Sequence, residues 1–239
     1  MALGDFAGWP HPQPVLTQER LPVWHVHQWD AATGKFGPTS FNPFASGRFA
    51  ARLARRPRAM YYAGSTPSVA LWETVLRDVE PQGSQREVRL DVSLLKGTRL
   101  SPVFSRKAMS VLELFPLSLR RQAGHPLGEE WLELTTTGKH AYTHGPTASL
   151  LNHLEESFPA LIVDGFVWES RQCGTAREHP KAYVFFDPPC GASSFDAWAH
   201  CAPLMLDSAS GRRYLERAVD DAGMRLVVVD DALDDALTR

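Results

Sequence analysis

The residues Tyr61 to Thr74 read YYAGSTPSVALWET, and they hold the strongest chemical signal in the chain. An aromatic strand ends at Tyr62. Ser65-Thr66-Pro67 then opens a helix, because Ser or Thr caps the first turn and Pro fits inside it. Glu73 follows on that helix, so the strand-to-helix corner can bring Tyr62 and Glu73 to one cleft wall. A ring and a carboxylate so placed suit chemistry at a glycosyl cation. The ring stacks on a flat heterocycle, and the carboxylate stabilises positive charge developing on a ribose. The same text also fits a plain structural role, with Tyr61, Tyr62 and Trp72 in the core and Glu73 a solvated helix residue.

Other candidates carry less. His140 and His144 have the i, i+4 spacing of a helical zinc pair, but Ala141 stands where the glutamate would follow and Gly145-Pro146 closes the segment. Three cysteines, Cys173, Cys190 and Cys201, are widely spaced without a CxxC pair, which argues against a zinc ribbon or a disulfide framework. His179 and His200 lie near them without ligand spacing, so no metal site is expected. Five arginines between Arg48 and Arg58 read as a solvated helix face or, for one of them, as a phosphate contact. No glycine-rich loop of Rossmann or P-loop type is present, so a nucleotide would have to bind in another way.

The chain around these residues has 239 residues, is 44% hydrophobic and 22% charged, and carries a net charge of −2. That is ordinary globular usage, and the charge balance gives no nucleic-acid footprint. The N-terminus lacks the basic and apolar regions of a signal peptide, and no apolar run approaches a membrane span. Reduced cysteines suit a cytoplasmic location.

The elements that must position the candidates alternate between strands and helices without βαβ regularity, which gives an α+β class. Residues 1–20 read as an arm with little structure, and 230–239 as an acidic, frayed tail. Residues 21–229 read as one domain. Strands are expected at Leu21–His27, Ala59–Ala63, Arg86–Leu94, Ala160–Trp168 with a turn at Asp164-Gly165, Ala182–Phe186 and Met224–Val229. Helices are expected at Phe49–Arg56, Pro67–Val79, 110–135, 147–158 and Ser210–Ala222. Thr33 to Gly47 reads as a long, functional loop.

Four segments in order resemble the RES domain, a family named for arginine, glutamate and serine positions. They are LPVWHVHQWD (Leu21–Asp30), FNPFASGRF (Phe41–Phe49), YAGSTPSVALWE (Tyr62–Glu73) and VDGFVWESRQ (Val163–Gln172). The motif-bearing core spans 21–187. The resemblance implies an ADP-ribosyltransferase-like split β-sheet with flanking helices, and NAD+ in the cleft between the halves. It implies a toxin that cleaves the nicotinamide–ribose bond by phosphorolysis or hydrolysis, or transfers ADP-ribose to a protein. NAD+ would be substrate, with no further cofactor, and the partner would be an antitoxin of Xre-like type. Carried over residue by residue, Glu73, Tyr62 and Ser170 become the catalytic set, and Arg48 and Arg171 join Tyr62 in binding NAD+.

One position departs from the family. Its first-strand arginine is replaced by His25. A histidine there is similar to that of the diphtheria-type branch, so His25, Tyr62 and Glu73 could form a His–Tyr–Glu set that binds NAD+. Arg48 could supply the missing cation instead, or the position could mark a RES-like binding protein without catalysis.

Overall fold

The computed structural model describes residues 14–28, 36–43, 49–77, 79–84, 86–114, 141–170 and 180–229. The strands are β1 (Val15–Leu16), β2 (Pro22–Gln28), β3 (Ala59–Gly64), β4 (Glu87–Asp91), β5 (Thr98–Ser105), β6 (Ser110–Glu113), β7 (Gly165–Glu169), β8 (Lys181–Asp187), β9 (Phe195–Ala197), β10 (Leu204–Met205) and β11 (Arg225–Val229). The helices are α1 (Pro67–Trp72), α2 (Val92–Leu95), α3 (Ala141–Ser157) and α4 (Ala209–Asp221). Nine strands form one sheet in the order β1-β6-β7-β8-β3-β2-β5-β10, with β9 also on β5. Within it β6 and β7 run parallel, and β4 and β11 make a separate parallel pair. The expected α+β class is the class observed.

The large sheet is split. Strands β3 and β8 pair along their whole length, from Ala59–Asp187 to Gly64–Ala182, and β2 and β5 do the same from Pro22–Phe104 to Gln28–Thr98. Between β2 and β3 the ladder falls to one pair, Trp24–Gly64. Two half-sheets thus meet at a seam with few main-chain bonds to hold it.

Alternation sorts the side chains onto two faces. Met60, Tyr62, Phe166, Trp168, Val184 and Phe186 belong to the larger core under α1, α3 and α4. Tyr61, Ala63, Val167, Tyr183, Phe185 and Phe195 fill a smaller core on the other face. Helix α1 starts as its sequence dictates: the Thr66 hydroxyl accepts from the Val69 N–H, and Pro67 sits in the first turn. It lies so close to the sheet that a Cβ on Gly64 would stand 2.4 Å from the Ala70 nitrogen. Only glycine lets α1 seat there.

Several expected elements differ. α1 ends at Trp72 instead of Val79, the chain going on in turns. Phe49–Arg56 contains only a 3-10 turn, Ala51–Leu53. The segment expected to be helical from 110 begins as strand β6, where Val111 and Leu112 are buried between neighbours; residues 115–140 lie outside the described residues. Strand β5 was not expected, because Pro102 and its serines break the usual strand pattern. Val15 and Leu16 of the expected arm pair with β6. Gly145 and Pro146 lie inside α3 and do not close it. The tail 230–239, the end of the arm at 1–13 and His140 lie outside the described residues. Among the described residues no helix is long and apolar enough to cross a membrane.

Candidate active site

The corner after β3 places Tyr62 on the α1 face of the sheet, where it is 9% exposed. Its hydroxyl accepts the Phe49 N–H at 3.0 Å. The Phe49 ring in turn meets the Trp168 ring edge-on, centroids 4.8 Å apart, and the Phe166 ring at 6.1 Å. Ser170 follows Trp168 on the same side of the chain, is buried, and its N–H donates to the Pro180 carbonyl at 2.8 Å. A chain of contacts therefore runs from Tyr62 through Phe49 and Trp168 towards Ser170. Sequence reasoning named Tyr62 and Ser170 but missed Phe49 and Trp168. The signal was present: both are large aromatics inside the matched segments FNPFASGRF and VDGFVWESRQ.

Glu73 caps the C-terminal end of α1, its N–H donating to the Val69 carbonyl at 2.9 Å. It is 4% exposed, not a solvated helix residue. Among the described residues its carboxyl group makes no hydrogen bond and no ion pair. Arg48 and Arg171 lie outside the described residues. In sequence they adjoin Phe49 and Ser170, two members of that contact chain.

His25 lies on the other face. Trp24 and Val26 of β2 pack against the larger core, while Val23 belongs to the smaller one, and His25 and His27 share its side. The His25 ring stacks on Tyr61 at 4.0 Å and on His27 at 5.7 Å, and Tyr61 stacks on Phe195 at 4.5 Å. The structure thus does not bring the rings of His25 and Tyr62 together. Their link is through the main chain: the Nδ1–H of His25 donates to the Tyr62 carbonyl at 2.6 Å. The alternation that puts His25 and His27 on one face puts Tyr61, not Tyr62, opposite them. Burial, opposed in part by the hydrogen bond to the Tyr62 carbonyl and helped by the neighbouring His27, holds His25 down to about 3, so its imidazole is neutral. His27 is lowered for the same reason; its Nδ1–H donates to the Phe36 carbonyl at 2.8 Å and its Nε2 accepts from the Ser101 hydroxyl at 2.9 Å.

Residues 22–202 match the RES domain. The chain belongs to the RES-domain family. No curated protein matches the sequence. Among solved structures, a chain of the crystal structure of the M. tuberculosis MbcT–MbcA toxin–antitoxin complex is similar, with a TM-score of 0.44 and 12% identity over 84% of this chain and 90% of that one.

Within this RES domain the motif VDGFVWESRQ divides its labour. Asp164 accepts the Ser110 N–H at 2.7 Å, and the Cys190 thiol lies 3.4 Å from its other oxygen. Burial and the Asp164 carboxylate push that thiol up, so Cys190 is an inert structural donor. A Cβ on Gly165 would stand 2.2 Å from the Val184 carbonyl, so this position admits only glycine. Asp164-Gly165 hold the strand, and Trp168 belongs to the larger core. The arginine run is also partly structural: Arg55 and Arg58 pair with Glu156 and Glu155 of α3. Among the described residues no group of three His, Cys, Asp or Glu gathers as metal ligands would.

Proposed function

We propose that this RES domain is a toxin that breaks the nicotinamide–ribose bond of NAD+. The reading is supported above all by family membership combined with one arrangement: Tyr62, Glu73 and Ser170, the positions to which the resemblance assigns chemistry, are all buried, Tyr62 on the α1 face of the split sheet and Glu73 at the end of α1. Nicotinamide leaves with the bonding electron pair through an oxocarbenium-like transition state. No general acid is needed, because the ring nitrogen is already quaternary. Glu73 stabilises the ribosyl cation and orients the nucleophile. An oxygen of phosphate or water then gives its electron pair to the ribose carbon, and its proton passes to Glu73 or solvent. Ser170 bonds the ribose or the amide, Tyr62 borders the nicotinamide, and Arg48 grips a phosphate with Arg171 beside it. His25 does not touch substrate in this scheme. It holds Tyr62 in place across the seam.

The assay is release of nicotinamide from NAD+, with and without phosphate, followed by identification of the ribosyl product. A phosphorylated product means phosphorolysis, free ADP-ribose means hydrolysis, and label appearing on a protein means ADP-ribosyl transfer. No release under any condition overturns the proposal. It favours a RES-like binding protein without catalysis, a reading that draws on the histidine at the family's arginine position. An NAD+-consuming toxin needs restraint in its own cell, so a neutralising antitoxin of Xre-like type, covering the cleft, completes the proposal. Expression of the chain alone should arrest growth and deplete NAD+ in the cytoplasm.

A further inference from the structure

Trp168 is 2% exposed, and among the described residues its indole N–H finds no hydrogen-bond acceptor. A buried Trp N–H almost always has one, since leaving it unmet costs the desolvation of the donor. The position is not an accident of loose packing. Trp168 pairs with Ala182, which in turn pairs with Gly64. The small Ala182 lies beside the indole on the face of the sheet that also carries Tyr62, and α1 fills the space over Gly64. Phe49 closes one side, and the Phe49 N–H is already spent on the Tyr62 hydroxyl.

We infer that the Trp168 N–H is a specificity-determining donor, and that its acceptor is the carboxamide oxygen of the nicotinamide ring. This rests on the NAD+ reading above and deepens it. An indole N–H can only donate, so the partner must be an acceptor. Its described neighbours Phe49, Phe166 and Ala182 are apolar and bring no cation. Against such an apolar wall a neutral carbonyl needs only one good donor. The flat pyridinium ring suits the aromatic wall, its positive charge being attracted to the faces of Trp and Phe. The N–H then rewards ligands that carry a carbonyl beside the ring, and it selects nicotinamide from other planar heterocycles.

The test uses the full chain with its indoles labelled with nitrogen-15. The signal that vanishes in Trp168→Phe identifies the Trp168 N–H. In the wild type, nicotinamide should move that signal downfield, and pyridine, which lacks the carboxamide, should leave it in place. Trp168→Phe should raise KM for NAD+ roughly three- to tenfold, the value of one neutral hydrogen bond, with kcat within about twofold. The circular dichroism spectrum checks that the variant folds. If nicotinamide leaves the Trp168 signal unmoved, or pyridine moves it equally, the inference is overturned even where the wild type consumes NAD+. If the wild type releases no nicotinamide from NAD+, the underlying reading falls, and this inference with it.

Discussion

The Nδ1–H of His25 donates to the carbonyl oxygen of Tyr62 at 2.6 Å, across the seam where the ladder between β2 and β3 has fallen to the single pair Trp24–Gly64. A side chain replaces a missing rung. The consequence for the site is indirect, since the bond fixes the backbone from which the Tyr62 ring projects to the opposite face. His25→Ala removes the rung and leaves a buried carbonyl unmet, a loss of about 1–3 kcal/mol in urea unfolding. His25→Asn presents an amide N–H near the same point and should recover much of that stability and of the turnover. If His25→Asn is as inactive as His25→Ala while fully stable, the imidazole contacts substrate.

The same histidine predicts a pH dependence. His25 and His27 are both lowered by burial, so the unfolded chain binds protons more readily than the folded one. Their stabilising contribution is complete above about pH 6.5, the ordinary histidine value, and is lost as pH falls towards the folded value of about 3 for His25. The melting temperature should therefore drop between pH 7 and pH 5, where few carboxylates titrate. His25→Asn should flatten that slope. An equal slope in wild type and variant would assign the acid sensitivity elsewhere.

The elements around this candidate site were legible in the sequence, and the part that was not has a physical cause. The cap at Thr66, the proline at Pro67 and the aromatic strand before them located β3 and α1, because those are local preferences. Glu73 and Ser170 became candidates through motif text. The face on which each residue lies was not legible in the same way. Alternation set His25 and His27 together, but which strand edge they meet is decided by pairing between β2, β3 and β5. Strand β5 itself was hidden, since its burial comes from neighbours on both sides and not from its own pattern. The roles of Phe49 and Trp168 depend on a contact between residues far apart in the chain.

Glu73 gives the most direct test of the chemistry. Glu73→Gln keeps the shape of a buried side chain and removes its ability to carry negative charge. Turnover of NAD+ should fall on the order of 100-fold or more, the scale of losing a preorganised electrostatic group. The fold should survive, because no described residue depends on the carboxyl group for a hydrogen bond. Undiminished release of nicotinamide would remove Glu73 from the mechanism.

Gly64 tests the seating of α1. A methyl group there would meet the Ala70 nitrogen at 2.4 Å, with Val69 nearly as close, and the nearest of these atoms is main chain that cannot rotate away. Gly64→Ala should cost about 1–3 kcal/mol by overpacking and push α1, with Glu73 at its end, off the sheet. Thermal unfolding and NAD+ turnover should fall together. A variant that melts normally would show that α1 shifts freely at that point.

Tyr62 separates a structural hydroxyl from a chemical one. Its oxygen accepts the Phe49 N–H, and Phe49 leans on Trp168. Tyr62→Phe deletes the acceptor and strands a buried main-chain N–H, at a cost of about 1–3 kcal/mol. The ring remains, so a wall for the nicotinamide remains. What loosens is the segment around Phe49, and Arg48 directly precedes it in sequence. The expected signature is therefore lower stability in urea with a raised KM for NAD+, and a kcat that changes little. Phe49→Ala should move the same two quantities in the same direction, since it breaks the contact from the other side. A Tyr62→Phe variant with normal stability and normal KM but a tenfold lower kcat would instead place the hydroxyl at the reacting ribose, and the bond to Phe49 would then be incidental to its role.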